Sequence, residues 1–304
     1  IQVVSSLLDH AGSGITAAIG TGSNDVKDYI GGITLKTGIR LLSSHARTKV
    51  ITVVSKPPSE RIVKEAVEEI ERGGKPAVLN FIGYEGGQGD GQISFASTLE
   101  EAARMSYELE RGRGFSLPSW TPDEEIRRAK EMLRPEQTYI RGLFSGGTIC
   151  YEAQHIMRKK GIKVYSNSPL EKSLEIGGFD RSIKDTMIDM GAEEFVRGVP
   201  HPMIDFRFRK ERLIREAEDR EVAVILFDIV LGYGSNMNPA GEISEAIRKA
   251  REINGRLAFV ASVIGTGKDP QGLESQVLQL RNLGVLVYPS STRAAEVAFQ
   301  IARG

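Results

Sequence analysis

The feature that most constrains this chain is a recurring triplet: a short run apolar at nearly every position, a break rich in Gly, Ser or Pro, and a stretch with apolar residues at helical spacing. A strand without polar alternation is buried on both faces, which happens when crossover helices cover both sides of a parallel sheet. Residues 50–54 break at Ser55-Lys56-Pro57-Pro58, and helical spacing resumes over 62–70. Residues 76–82 break at a loop running from Gly83 to Gly91. Residues 139–144 break at Ser145-Gly146-Gly147-Thr148 before a helical stretch over 149–159, and the runs 222–226 and 257–263 repeat the scheme. The pattern specifies an α/β fold with parallel pairing.

A length of 304 residues suits two such domains, each with its own core. The first is expected over 1–110, with a helix over 1–10, a strand over 15–19, a helix over 35–44 and a strand at 93–95. The stretch 111–136 holds glycine, proline, charge and the only Trp but no long apolar period, so it reads as a linker. The second domain is expected over 137–304, with further strands near 163–165, 186–190 and 285–287. Its helices are expected near 243–253 and 273–283 and from Thr292 onward. Strand, helix, strand, glycine loop, strand and capped helix occur in the same order in both halves, so a duplicated flavodoxin-like domain is the economical reading. The second copy has a strand and glycine turn before its first helix, whereas the first copy starts at that helix. An upstream strand is therefore expected.

Lys plus Arg equals Asp plus Glu, at 40 each, so no net field favours nucleic acid or an anionic membrane surface, and any anion site must be local. No apolar run approaches the roughly 18 residues of a membrane span. The single cysteine, Cys150, rules out an internal disulfide framework and Cys-pair metal sites, and it fits a reducing compartment; cytoplasm is the expected location. No basic region followed by an apolar stretch opens the sequence, so no signal peptide is expected.

Ligands of open parallel sheets sit beyond the carboxyl ends of the strands, where helix N-termini present unpaired amides and glycine lets an anion approach them. Ser145, Gly146, Gly147 and Thr148 form such an element; they read equally as a tight turn with Thr148 as helix cap. Gly20, Gly22 and Asn24 lie in a similar run, 20–25, in which Ser23, Asn24 or Asp25 could cap the next helix. Neither run has the Gly-Lys-Ser/Thr ending of a P-loop. Lys56 could reach over the strand ends or simply be solvated beside its prolines. His201, held between Pro200 and Pro202 before a basic helix, suits an acid/base or anion-contacting role, or a surface imidazole at a helix start. Asp228, at the end of its strand, is followed by Gly232 and Gly234; Gly265, Thr266 and Gly267 follow the neighbouring strand. A carboxylate and two glycine loops thus converge on one sheet edge. No pair of histidines has metal-ligand spacing, and no metal is expected.

Several of these segments together resemble one family. Residues 142–148 with Glu152, 198–205, 228–234, Ala18-Ile19-Gly20-Thr21-Gly22, Gly31-Gly32-Ile33 and Ser55-Lys56-Pro57-Pro58 look like FdrA, a relative of succinyl-CoA synthetase. The resemblance covers nearly the whole chain. It implies fused α-type and β-type ligase domains and an upstream CoA-binding domain that would supply the missing strand. True synthetases carry a phosphohistidine in a Gly-His-Ala-Gly-Ala loop; the matching loop here, 83–91, has no histidine, so no phosphohistidine relay is expected.

FdrA-like proteins are associated with oxamate carbamoyltransferase as one of several subunits. The resemblance thus implies a small anionic substrate (phosphate, carboxylate or carbamoyl phosphate) and either other subunits or a homodimer. Three functions follow as expectations: a carbamoyltransferase subunit, an acyl-CoA ligase whose CoA is bound by the upstream domain, and a non-catalytic scaffold.

Overall fold

The computed structural model describes residues 1–22, 24–84, 86–87, 89, 91–177 and 181–304. The chain divides into two compact units, Ile1–Leu117 and Pro118–Gly304.

The first unit runs α1 (Gln2–His10), α2 (Ile33–Ser44), β1 (Ile51–Ser55), α3 (Glu60–Gly73), β2 (Ala77–Phe81), β3 (Ile93–Phe95) and α4 (Leu99–Arg111). Its three strands are parallel in the order β1-β2-β3. All of β2 is buried, as its unbroken apolar character requires, and Ile62, Ala66 and Ile70 of α3 close one face of the core. Two local devices fix helix ends. Gly74 ends α3 in the left-handed conformation, φ 68°, where a side chain would be strained. Thr98 accepts the Glu101 amide at the start of α4 while the Glu101 carboxylate accepts the Ser97 amide.

The strand expected over 15–19 does not form. Those residues are coil, and Ile15 is 53% exposed. An isolated extended run gains no ladder hydrogen bonds, and among the described residues no strand pairs with this segment.

The second unit runs α5 (Asp123–Met132), β4 (Tyr139–Phe144), α6 (Gly147–Lys159), β5 (Tyr165–Ser166), a 3-10 turn (Lys172–Leu174), β6 (Thr186–Asp189) and α7 (Glu193–Val196). It continues with α8 (Arg207–Ala217), β7 (Val222–Val230), α9 (Pro239–Ile253), β8 (Ala258–Ile264), α10 (Leu273–Asn282), β9 (Leu286–Tyr288) and α11 (Ser291–Arg303). Six parallel strands stand in the order β5-β6-β4-β7-β8-β9. The chain starts at the central β4, moves to one side and then crosses to the other. This reversal creates a crevice at the carboxyl ends of β4 and its neighbours.

The second unit begins earlier than the sequence suggested. Residues 118–136, expected within the linker, include α5, which buries Ile126 and pairs Glu125 with Arg281 at 2.7 Å. Just before α5, the Thr121 hydroxyl bonds both the amide and the carbonyl of Val287. The amphipathic signal of α5 is a single buried isoleucine among charges, too weak to register as a period.

Candidate functional site

The site is built from the carboxyl ends of the three central strands of the second unit. Ser145 follows β4 and is buried; its amide donates to Asp228 Oδ1 at 2.7 Å and its hydroxyl donates to Oδ2. Asp228 lies inside β7, fully buried. Arg209 of α8, also fully buried, places Nη2 3.5 Å from Asp228 Oδ1 and donates to the carbonyls of Asp228 and Leu143. Burial pulls the Arg209 pKa below its ordinary value and the Asp228 charge opposes that pull. Among the described residues, the Nε and Nη1 of Arg209 have no hydrogen-bond partner. Both Asp228 oxygens are engaged and the side chain has no exposed surface. Expected from the sequence as a catalytic residue, Asp228 is seen in this structure as a brace: it fixes the β4 turn and balances a buried guanidinium.

His201 stands at the mouth of the same strand ends, half-buried. Its Nδ1 accepts the Met203 amide at 3.3 Å, which assigns the proton of the neutral ring to Nε2. Burial lowers the His201 pKa below the usual histidine value; the Asp228 charge pushes up and Arg209 pushes down. At neutral pH the ring is a neutral donor through Nε2–H.

That nitrogen looks onto Gly191, just after β6. A Cβ built there would fall 2.5 Å from the Ser145 carbonyl oxygen, 3.0 Å from His201 Nε2 and 3.4 Å from Asp189 Oδ1. Only glycine permits so close an approach. Asp189, the last residue of β6, is held by Asn167, which exchanges two bonds with its backbone, and its Oδ1 accepts the Gly191 amide at 3.0 Å.

Next to this cluster the α6 helix opens at Gly146, and no side chain among the described residues caps it. Gly146, Gly147 and Thr148 are half-buried, and a Cβ at Gly146 would meet nothing within 4 Å. Thr148 is therefore not the cap that the turn reading required. Behind this turn, buried Glu152 accepts the hydroxyls of Ser291 at 2.5 Å and Thr292 at 2.8 Å, locking α6 to α11.

The two glycine loops expected to converge do meet, but they bond to each other. Gln271 Oε1 accepts the Gly232 amide at 3.1 Å, and its Nε2 donates to the carbonyls of Gly232 and Asn236. Asp269 Oδ2 accepts the Thr266 amide at 2.7 Å. Gly232 and Gly234 adopt positive φ, at 130° and 84°, and a Cβ at Gly265 would lie 2.7 Å from Leu231. These glycines thus serve turn geometry and close packing. Gly267 is exposed at the loop tip. The loop after β7 in turn supports the His201 segment: Asn236 donates its amide to Met203 O at 2.9 Å and Nδ2 to Ile204 O at 3.1 Å.

The remaining candidates belong to the first unit and are described apart. Gly20, Gly22 and Asn24 are exposed. The amides at the start of α2 are occupied by Asp25, whose carboxylate accepts from Thr34 at 2.9 Å and Leu35 at 2.8 Å, so no anion is cradled there. The capping expectation for this run is met at Asp25; Ser23 lies outside the described residues. Lys56 follows β1 directly and is half-buried. In the 83–91 loop, Glu85, Gln88 and Asp90 lie outside the described residues.

Sequence reasoning missed Asp189, Gly191 and Arg209. An acidic residue closing an apolar strand and followed within two positions by glycine was the available signal for the first two. For Arg209 none existed, because a basic helix does not show which of its arginines are buried.

A family model described as CoA-ligase matches residues 143–301, more than half of the chain and nearly all of the second unit's sheet. The chain belongs to the CoA-ligase family. The CoA-ligase match begins inside β4 and includes every residue of the cluster just described. Uncharacterized protein YahF of Escherichia coli (strain K12) is 37% identical over 303 residues, covering 98% of this chain and 59% of that protein. The chain thus spans about three-fifths of the length of this curated relative. Among solved structures, dinucleotide-forming acetyl-coenzyme A synthetase 1 of Ca. Korarchaeum cryptofilum aligns at 14% identity and a TM-score of 0.38, covering 88% of this chain and 55% of that one. ATP citrate lyase of Methanosaeta concilii aligns at 13% identity and a TM-score of 0.33, covering 88% and 36%.

Proposed function

We propose that the second unit binds the anionic group of an acyl or carbamoyl phosphate at the N-terminus of α6, within an acyl-CoA-ligase-like group-transfer enzyme. The observation that carries this reading is the uncapped α6 turn beside a neutral His201, whose Nε2–H looks across Gly191 toward the same strand ends. The helix amides supply fixed partial positive charge to phosphoryl or carboxylate oxygens, and His201 supplies a directed donor without a net charge of its own. Arg209 and Asp228 lie beneath and hold the Ser145 end of the turn in place.

Family membership favours acyl-CoA ligation, with CoA as a substrate bound by the polypeptide outside this chain. The FdrA-like motifs favour the narrower reading of an oxamate carbamoyltransferase subunit, in which carbamoyl phosphate is the anion, working with other subunits or as a homodimer. A scaffold that keeps the fold without turnover is the remaining alternative.

The test is Gly146→Val in the full-length protein. Gly146 has φ −159°, an extended backbone open to any residue, and its Cβ enters free space, so the fold is preserved. Binding of inorganic phosphate and of carbamoyl phosphate, followed by calorimetry, should weaken about tenfold or more as the side chain shields the amides. Undiminished binding refutes the cradle. Turnover of acyl phosphate with CoA, or of carbamoyl phosphate with oxamate, separates the two chemistries; neither turnover nor binding leaves the scaffold.

A further inference from the structure

The second unit carries a cluster of charge that the candidate site does not use. A cavity of about 350 Å³ lies where Leu257 and Ala258 lead into β8 and Leu286 begins β9, which is the amino end of these parallel strands. The carboxyl ends, where Ser145 and His201 stand, are the length of β8 away, roughly 20 Å. Four arginines from separate segments line the cavity: Arg128 of α5, Arg251 of α9, Arg256 between α9 and β8, and Arg281 of α10. Among the described residues the only carboxylate in the lining is that of Glu125.

These charges are unevenly balanced. Arg281 pairs with Glu125 at 2.7 Å and Arg128 pairs with Glu124. Arg251 and Arg256 have no carboxylate within 4 Å among the described residues. Arg251 is nonetheless fixed in place. Its Nη2 donates to Gly284 O at 3.0 Å, and its guanidinium lies 5.1 Å from the Phe259 ring centre. Gly284 has φ 71°, and a Cβ there would come 3.0 Å from Nη2, so a glycine in the turn between α10 and β9 leaves room for the guanidinium. The Nε of Arg251 is buried with no hydrogen-bond partner among the described residues, as is the Nε of Arg281. Burial lowers the Arg251 pKa below its ordinary value, and no acid opposes the shift. A half-buried cation without a counter-charge is stabilised by an anion that enters beside it.

We propose that this cavity is a second anion site, which takes the phosphoryl group of an organic phosphate, with Arg251 and Arg256 as its charge partners. Two guanidinium groups without carboxylates match the two charges of a phosphate monoester, and the arginine fork suits paired hydrogen bonds to phosphoryl oxygens. Met132, Leu257 and Leu286 add an apolar wall beside the arginines, which fits an uncharged body attached to the phosphate better than a free inorganic ion. The chemistry differs from that of the α6 turn, where backbone amides and a neutral imidazole face the ligand, and it does not depend on that turn binding anything.

The test is calorimetric titration of the full-length Gly146→Val protein, in which the α6 turn no longer contributes, with phenyl phosphate at about pH 8, where the ester is a dianion. Phenyl phosphate should bind, and inorganic phosphate should bind about tenfold more weakly because it leaves the apolar wall uncovered. Arg256→Gln and Arg251→Met, each made in that protein, should weaken phenyl phosphate about tenfold or more. The Arg256 side chain is exposed and bonds to nothing among the described residues, so Arg256→Gln keeps the fold, and an unchanged urea midpoint by Trp120 fluorescence verifies it. The inference is overturned if the Gly146→Val protein binds no phenyl phosphate, if Arg256→Gln binds it as tightly as its parent, or if succinate binds as tightly as phenyl phosphate. The α6 reading fails separately, when Gly146→Val alone removes no phosphate site from the parent protein.

Discussion

Replacing Asp228 by Asn separates a brace from a catalytic acid. The substitution keeps the shape and an acceptor for the Ser145 amide but removes the charge that faces Arg209. At 3.5 Å and an effective dielectric of about 20, the direct attraction is roughly 5 kcal/mol. Part of that is retained by other means, because the Arg209 guanidinium still donates to two backbone carbonyls and lies 4.9 Å from the Phe206 ring centre. A loss of about 3–4 kcal/mol of folding free energy is therefore expected, as for other buried pairs broken from one side. Against a domain stability of about 5–15 kcal/mol this is a large shift in the urea midpoint. The assay is built in. Trp120 is the only tryptophan, lies in the second unit and packs on its core, so its fluorescence follows that unit alone. Arg209→Met should cost less, since Asp228 keeps both Ser145 donors. The double variant should recover at least about 1.5 kcal/mol relative to the sum of the two. An Asp228→Asn protein that loses turnover but keeps its urea midpoint, or a strictly additive double variant, refutes the brace.

Gly191→Ala should leave secondary structure intact but destabilise the second unit by about 1–3 kcal/mol and weaken phosphate binding, because the new Cβ meets the Ser145 carbonyl at 2.5 Å and must displace it or His201; unchanged urea midpoint and affinity would show that the strand ends yield freely. In the first unit, the Ser13 hydroxyl above all, with Arg111 and Lys49 and against the cost of burial, holds the Glu110 carboxyl at about 2, below its ordinary 4.5. A carboxyl depressed on folding stabilises above its unfolded pKa, and that stability is lost as pH falls from about 4.5 toward about 2. Glu110→Gln should cost about 1 kcal/mol at pH 7, discounted because Lys49 and Arg111 are exposed, and the gap to the parent should close by pH 2; a gap independent of pH would exclude the linkage.

How much of this was legible in the sequence depends on the range over which each feature is decided. Strands β2, β7 and β8 were readable because every position in them is buried, and the α4 start because Thr98 and Glu101 form a local box. The α5 helix was not, because its order comes from contacts with residues more than 150 positions away, such as Glu125 with Arg281. Residues 15–19 were misread for the complementary reason. Their composition is that of a strand, but a strand is defined by its neighbour, and composition does not say whether the neighbour is present.

The site shows the same division. Ser145, the α6 turn and His201 could be picked out because glycine and proline mark unusual backbone at the point where they are needed. Asp228 was also picked out, but sequence gives the residue type without its burial. A strand-end carboxylate does not announce the guanidinium packed beneath it, and Arg209 arrives from a helix with three other arginines, Arg207, Arg212 and Arg215. The same placement explains why the glycine loops after β7 and β8 need bind nothing to matter. Gln271 of one loop bonds Gly232 and Asn236 of the other, and Asn236 holds the Met203–Ile204 backbone that sets the His201 ring over Gly191. Convergence of these loops on the sheet edge is thus spent on each other, while among the described residues no side chain caps the α6 start.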